Sequence, residues 1–279
     1  MKKTLFLLCS CLLSVLLFAQ DLNVMTFNIR YNNVGDSLNA WPYRKDKVAS
    51  QILFHDVQLL GVQEALHLQM QELGSRLPKF KSLGVGRGGG EKSEYSAIFY
   101  DTTRLQALAS ETFWLSQTPN VVGSKGWDGA FARIVTWAKF KDRKSGKTFF
   151  FFNTHFDHMG KEARRESAKL LLQKVADIAG QARAIITGDF NAVPADEPIQ
   201  VIVDKTNPLH LTDSKEVSIT PHYGPTGTFN GFGPKERDDQ PIDYIFLKGA
   251  WKVKKHATIS EGWDGRFASD HFSVMATLE

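Results

Sequence analysis

Six apolar runs of strand length in this 279-residue chain end on polar groups, which constrains the fold more than any other feature. The polar groups are Asn28, Glu64, His155 with Asp157, Asp189 with Asn191, Asp243, and the pair Asp270-His271. The clearest run is Ala182 to Thr187, where Ile185, Ile186 and Thr187 favour a buried strand. It leads into Gly188-Asp189-Phe190-Asn191-Ala192-Val193-Pro194. On an extended backbone residues i and i+2 share a side, so Asp189 and Asn191 are expected to point the same way. Gly188 allows close backbone approach, and Pro194 ends the strand. One such end is ordinarily a turn, because Asp and Asn are common turn residues. Several ends at one sheet edge converge, so their polar groups can meet in a single cleft.

Between these ends the pattern alternates strands and helices. Strands are expected at Asp21 to Tyr31, Val57 to Val62, Tyr95 to Tyr100 and Leu105 to Leu115. Ile134 to Phe140 and Phe149 to Thr154 read as a hairpin around Gly146. Ile242 to Leu247, Trp251 to Ile259 and Phe272 to Leu278 complete the set. Helical spacing marks Tyr43 to His55, Leu66 to Leu77, Glu197 to Val203 and, most clearly, Lys161 to Ala179. Strands outnumber helices, which fits an α+β fold of four layers, with two packed sheets and helices outside. The cluster Gly84, Gly86, Gly88, Gly89 and Gly90 reads as a mobile surface loop.

The first residues carry a different signal. Met1-Lys2-Lys3, an apolar stretch from Leu5 to Phe18 and the small Ala19 make residues 1–19 a secretory signal peptide. The stretch is shorter than the roughly 18 apolar residues of a membrane span. A lipoprotein site at Cys11 would leave too short an apolar core, and a retained anchor is the alternative to export. Cys9 and Cys11 both lie there, so a mature chain of residues 20–279 has no disulfide and no cysteine-bound metal. About 260 residues suffice for one domain with a large core. Without Lys2 and Lys3 the 34 basic residues fall to 32 against 30 acidic ones, a net charge of +2. That balance gives little footing for long nucleic acid.

Asn28, buried in an apolar strand, needs polar partners, and Glu64 after Leu59-Leu60-Gly61-Val62 is similar. Together they offer hard oxygen ligands suited to Mg²⁺, Mn²⁺ or Ca²⁺. Asn28 in MTFNIRY, Glu64 in GVQE, His155 in NTHFDH, then GDFNAVP, IDYIF and the terminal SDHFSV follow in one order. This set resembles the endonuclease/exonuclease/phosphatase family, which includes DNase I-like nucleases, sphingomyelinases and inositol-polyphosphate phosphatases. The resemblance runs from Asn23 to the C-terminus. It implies an αββα sandwich of two mainly antiparallel sheets packed face to face.

The resemblance also implies roles. Glu64 would bind a divalent metal, with Asn28 beside it and Asp270 contributing. Asp189 would orient or deprotonate the attacking water of an in-line displacement, and Asn191 would hold the phosphate or the nucleophile. His155 and His271 would contact phosphate oxygens or pass protons, and Asp243 would pair with His271 and favour its cation. Glu94 stands where the family places the carboxylate partner of the first histidine, and Arg133 resembles its phosphate-contacting arginine. A solvated strand-edge charge is the other reading of Arg133, and a plain turn explains Asp157 and His158.

Gly126-Trp127-Asp128-Gly129-Ala130-Phe131-Ala132 recurs as Gly262-Trp263-Asp264-Gly265-Arg266-Phe267-Ala268. Two loops of pseudo-equivalent halves are then expected to flank the cleft, with Trp127 and Trp263 along the substrate path. The chain therefore reads as an exported, monomeric, metal-dependent phosphoesterase without an integral membrane partner. A phosphodiesterase of nuclease-like chemistry comes first and a phosphomonoesterase second. A catalytically silent binding protein is a third reading, but no ligand or histidine is missing. Ser269-Asp270-His271 is a poor hydrolase triad, because adjacent strand residues face opposite ways.

Overall fold

The computed structural model describes residues 21–233 and 240–279. The signal peptide expected at residues 1–19 lies outside them. Among the described residues, no helix is long and apolar enough to cross a membrane. The chain runs through strand β1 (Leu22–Asn28), a 3₁₀ turn (Val34–Asn39), helix α1 (Trp41–Phe54), β2 (Leu59–Ala65), α2 (His67–Arg76) and β3 (Phe80–Leu83). It continues with β4 (Tyr95–Asp101), β5 (Leu105–Trp114), β6 (Ile134–Asp142), β7 (Thr148–His155), α3 (Lys161–Ala179) and β8 (Ala184–Asp189). Then come α4 (Glu197–Val203), β9 (Thr212–Asp213), β10 (Asp243–Lys248), β11 (Val253–Ile259), the short β12 (Gly262–Trp263) and β13 (Arg266–Phe267), and β14 (Ser273–Leu278).

Two six-stranded sheets carry the fold, in the orders β11-β14-β1-β2-β4-β3 and β5-β6-β7-β8-β10-β9. Each has one parallel pair at its centre, β1 with β2 and β7 with β8, and antiparallel neighbours elsewhere. Helices α1 and α3 make the crossovers that parallel pairs require. The two sheets thus share one pattern, and the repeated Gly-Trp-Asp-Gly loops fall between equivalent strands, β5 and β6 in one sheet and β11 and β14 in the other. The pseudo-equivalent halves expected from the repeat are present in the topology.

Alternation along the strands builds the layers. In β1 Leu22 and Val24 join the core between the sheets, while Met25 and Phe27 join the core under α1 and α2. In β7 Phe149 and Phe151 face the inter-sheet core and Phe150 and Phe152 face α3. The result is the four-layer sandwich. Towards one end the inter-sheet space turns polar: Gln63 Nε2 donates to Thr26 Oγ1 (3.0 Å) and Asn153 Oδ1 (2.7 Å), and Asn153 Nδ2 donates to the Val62 and Ala97 carbonyls (2.9 and 2.8 Å). Gly61 permits this close approach, since a Cβ there would lie 2.3 Å from Thr187 Oγ1. The polar strand ends stand on this layer.

Phe190, between two site residues, anchors that end from below. It is fully buried and packs edge-on against Phe156 (4.8 Å between ring centroids), Phe246 (5.1 Å) and Tyr244 (5.7 Å). Phe190→Ala is expected to cost about 3–5 kcal/mol in urea denaturation, through lost transfer energy and a residual cavity.

Candidate active site

The strand ends do converge. Asp189 pairs in register with His155 across β7–β8 and with Asp243 across β8–β10, and all three stand on the side of their strands that faces the inter-sheet core. A cleft of about 500 Å³ opens above them, lined by Glu64, Asp189, Asn191, Asp270, His155 and His271 among others. Gly188 holds the register, because a Cβ there would meet the Thr154 carbonyl at 2.5 Å. Asn191 reaches the cleft differently from the alternation expected. The strand stops at Asp189, and Asn191 turns with a left-handed φ of 47° that Asn tolerates. Its N–H donates to Asp189 Oδ1 (2.9 Å) and its Nδ2 to the Phe156 carbonyl (3.0 Å).

Glu64 is turned into the cleft by a break in the ladder. The β2–β4 register shifts between Gln63 and Ala65, and Glu64 takes φ 64°, a strained value for a long side chain. Its Oε1 accepts from Asn28 Nδ2 (2.9 Å) and its Oε2 from the Tyr31 N–H (3.1 Å). The same Asn28 Nδ2 donates to Asp189 Oδ2 (2.9 Å). Asn28, expected beside the metal, stands between the two carboxylates. Its Oδ1 accepts the Arg30 N–H (3.0 Å), so the amide turns donors, not an oxygen, towards the carboxylates. Asn28 organises the two acids.

The role expected of Glu94 is corrected. Its carboxylate pairs with Arg87 (2.7 Å), whereas His155 Nε2 stands 3.5 Å from Asp189 Oδ2. Arg133 is buried, not a solvated edge charge, and faces Asp157 (3.4 Å) and His158 Nδ1 (3.1 Å). Asp157 is more than a turn residue. It accepts the N–H groups of Ala130, Phe131, Met159 and Gly160 and so joins two loops beneath Arg133. Burial opposes its charge, but those donors hold the carboxyl far below its ordinary range.

The two histidines are driven apart. Burial works against a charge on His271, yet Asp243 at 2.9 Å from Nδ1, and then Asp189, raise it well above its ordinary value. Burial pushes His155 well below, with Arg133 and His271 adding to the effect. Neutral pH therefore finds a cationic His271 beside a neutral His155, as sites with distinct proton donors and acceptors require. Burial and then Asp243 raise Asp189 to about 7. Asp189, Asp243 and His271 bring possible ligand atoms within 4.8 Å of one another. Since Nδ1 of His271 is committed to Asp243 and the ring carries a proton, this trio is better suited to moving protons than to holding a cation.

Sequence reasoning missed Arg30, Arg87, Phe131 and Phe229 in the cleft lining. Arg30 stands 3.9 Å from Glu64 and 3.7 Å from Asp270, with its fork on Asp36. The expected Trp residues are absent from the lining. Trp263 packs on the core under α1, and Trp127 is half-buried outside the cleft. From the first loop Phe131 reaches the cleft, while its counterpart Phe267 lies edge-on to Phe272 (5.0 Å).

With these residues on one fold, the class is defined. The chain belongs to the Endonuclease/Exonuclease/phosphatase family, whose model matches residues 25–271. It is a hydrolase of phosphoester bonds. It is similar to an endonuclease/exonuclease/phosphatase of Bacteroides vulgatus, 42% identical with TM-score 0.89 over 93% of this chain and 99% of that one. A mannosyl-6-phosphatase of Bacteroides thetaiotaomicron is 36% identical, TM-score 0.88, over 92% and 99%. The human Nocturnin catalytic domain, 21% identical with TM-score 0.72 over 93% and 94%, shares the fold.

Proposed function

We propose that the chain is an exported, divalent-metal-dependent phosphomonoesterase acting on small phosphorylated sugars. The observation that carries this reading is the set of donors in the cleft: Arg30, Arg87 and Arg133 line about 500 Å³ with His155 and His271, alongside the carboxylates Glu64, Glu94, Asp189 and Asp270. A monoester carries up to two negative charges at neutral pH and a diester one. Three guanidinium groups in so small a space favour the three terminal oxygens of a monoester over the two of a diester, the substrate put first from the sequence. The 36% identical mannosyl-6-phosphatase supports a sugar as the leaving group.

The donor set fits a hard cation. Glu64 and Asp270 both line the cleft and lie 3.9 and 3.7 Å from Arg30, so two hard carboxylate ligands suited to Mg²⁺, with Mn²⁺ and Ca²⁺ as alternatives, meet there. Such an ion would polarise a phosphoryl oxygen and offset developing charge. The protein's own groups supply the rest. Asp189, fixed by Asn28 and by the Asn191 N–H, takes the proton of the attacking water. Cationic His271, held by Asp243, stabilises charge on a non-bridging oxygen, and neutral His155 with Arg133 orients the phosphate.

The test is a substrate panel of p-nitrophenyl phosphate, mannose 6-phosphate, bis-p-nitrophenyl phosphate and plasmid DNA, each with Mg²⁺ or EDTA. Both monoesters are expected to turn over with Mg²⁺ and to stop in EDTA. Faster cleavage of the diester, or nicking of the plasmid, overturns the monoester reading, and activity in EDTA overturns the metal.

A further inference from the structure

The glycine cluster expected to form a mobile loop is a hydrogen-bonded hairpin. Gly86 N–H donates to the Gly90 carbonyl (2.7 Å), Arg87 N–H to Glu94 (2.9 Å) and Gly88 N–H to Lys92 (3.1 Å). The glycines are required: Gly89 and Gly90 have φ of 89° and 58°, and a Cβ on Gly86 would lie 2.0 Å from the Lys92 carbonyl. From β5, Trp114 Nε1 donates to the Arg87 carbonyl (2.8 Å). The whole device fixes one residue, Arg87, whose side chain enters the cleft.

Two contacts aim its guanidinium. Glu94 accepts from Nη2 (2.7 Å), and the Phe131 ring, 49% exposed at the cleft rim, lies 4.5 Å from the guanidinium carbon. Arg133 also lines the cleft, held through Asp157 and through His158, whose ring stacks on Phe131. Each arginine thus has its own carboxylate, which engages part of the fork and leaves further N–H donors for a ligand. Burial lowers the Arg87 guanidinium from its ordinary range; Glu94 counters that, and the like charge of Arg133 adds to it. A doubly negative ligand between the two arginines relieves that repulsion better than a singly negative one.

We propose that Arg87 is a specificity-determining residue, which with Arg133 clamps the terminal phosphate and selects a dianionic monoester over a monoanionic diester. This rests on the monoesterase reading of the same cleft. Glu94 acts through Arg87 as its positioning residue.

The experiment measures kcat/KM for p-nitrophenyl phosphate and bis-p-nitrophenyl phosphate, and inhibition by orthophosphate, in the wild type, Arg87→Gln and Arg87→Lys. Arg87→Gln is expected to lose about 30-fold on the monoester and about 3-fold on the diester, with weaker orthophosphate inhibition. Arg87→Lys recovers part of the ratio, since it restores charge without the fork. Equal losses on both substrates, leaving the ratio unchanged, overturn the proposal and make Arg87 a loop residue. The ratio does not depend on the active fraction, so a poorly folding variant still decides the matter. A wild-type preference for the diester would sink the monoesterase reading by itself, whereas the change in ratio on substitution is read whatever its starting value.

Discussion

Asp189→Asn is expected to lower kcat by about 10³-fold or more with little change in KM, because it removes the proton acceptor and keeps the shape. The substitution is mild for the fold. An amide oxygen at position 189 can still accept from Asn28 Nδ2 or from the Asn191 N–H, the two bonds that hold the native carboxylate. Cation binding should survive, since Glu64 and Asp270 are untouched, and Mn²⁺ titration followed by electron paramagnetic resonance reads it directly. The pH profile of the wild type carries the same information. Burial and Asp243 raise Asp189 to about 7, so the active carboxylate is lost as pH falls through that value. Positive charge added at Glu64 moves this acid arm to lower pH. More than a tenth of wild-type activity in Asp189→Asn would remove Asp189 from the role of base.

Much of this was readable in the chain, and the reasons for the remainder are physical. Apolar alternation located the main strands and the four α-helices of the described residues, because burial on both faces of a sheet leaves a strong period. It passed over β3 and β9, which are short edge strands with little burial to betray them. The polar strand ends at Asn28, Glu64, His155, Asp189, Asp243 and His271 meet as expected, since a topology that gathers strand ends needs no further information. What periodicity does not encode is the direction of a side chain once the backbone leaves the ladder. Glu64 and Asn191 reach the cleft through left-handed residues, and Asn28 presents its nitrogen because the Arg30 N–H claims its oxygen. Arg87 was hidden for a related reason. Glycines signal both looseness and tight construction, and only the carbonyl of Lys92 against Gly86 decides between them.

Asp243→Asn tests the cationic half of the site, and its expected effect is a fall in kcat of about 10²–10³-fold at neutral pH. Asp243 touches His271 Nδ1 at 2.9 Å and works against burial to keep that ring charged. The sign follows from the linkage. A histidine raised above its ordinary value favours the folded cation at low pH, and that contribution is lost as pH rises through the raised value. Without Asp243, burial prevails and His271 gives up its proton at lower pH. The same carboxylate raises Asp189, so its removal also lowers the pH at which Asp189 ionises. Both arms of the kcat profile therefore move to lower pH in the variant, and some activity returns on acidification. Rates across about pH 5 to 9, with ¹⁵N spectra of the His271 ring, measure the two shifts separately. A profile that keeps its position while kcat falls would assign Asp243 to packing alone, and Asp189 would then stand as a base without a charged partner opposite it.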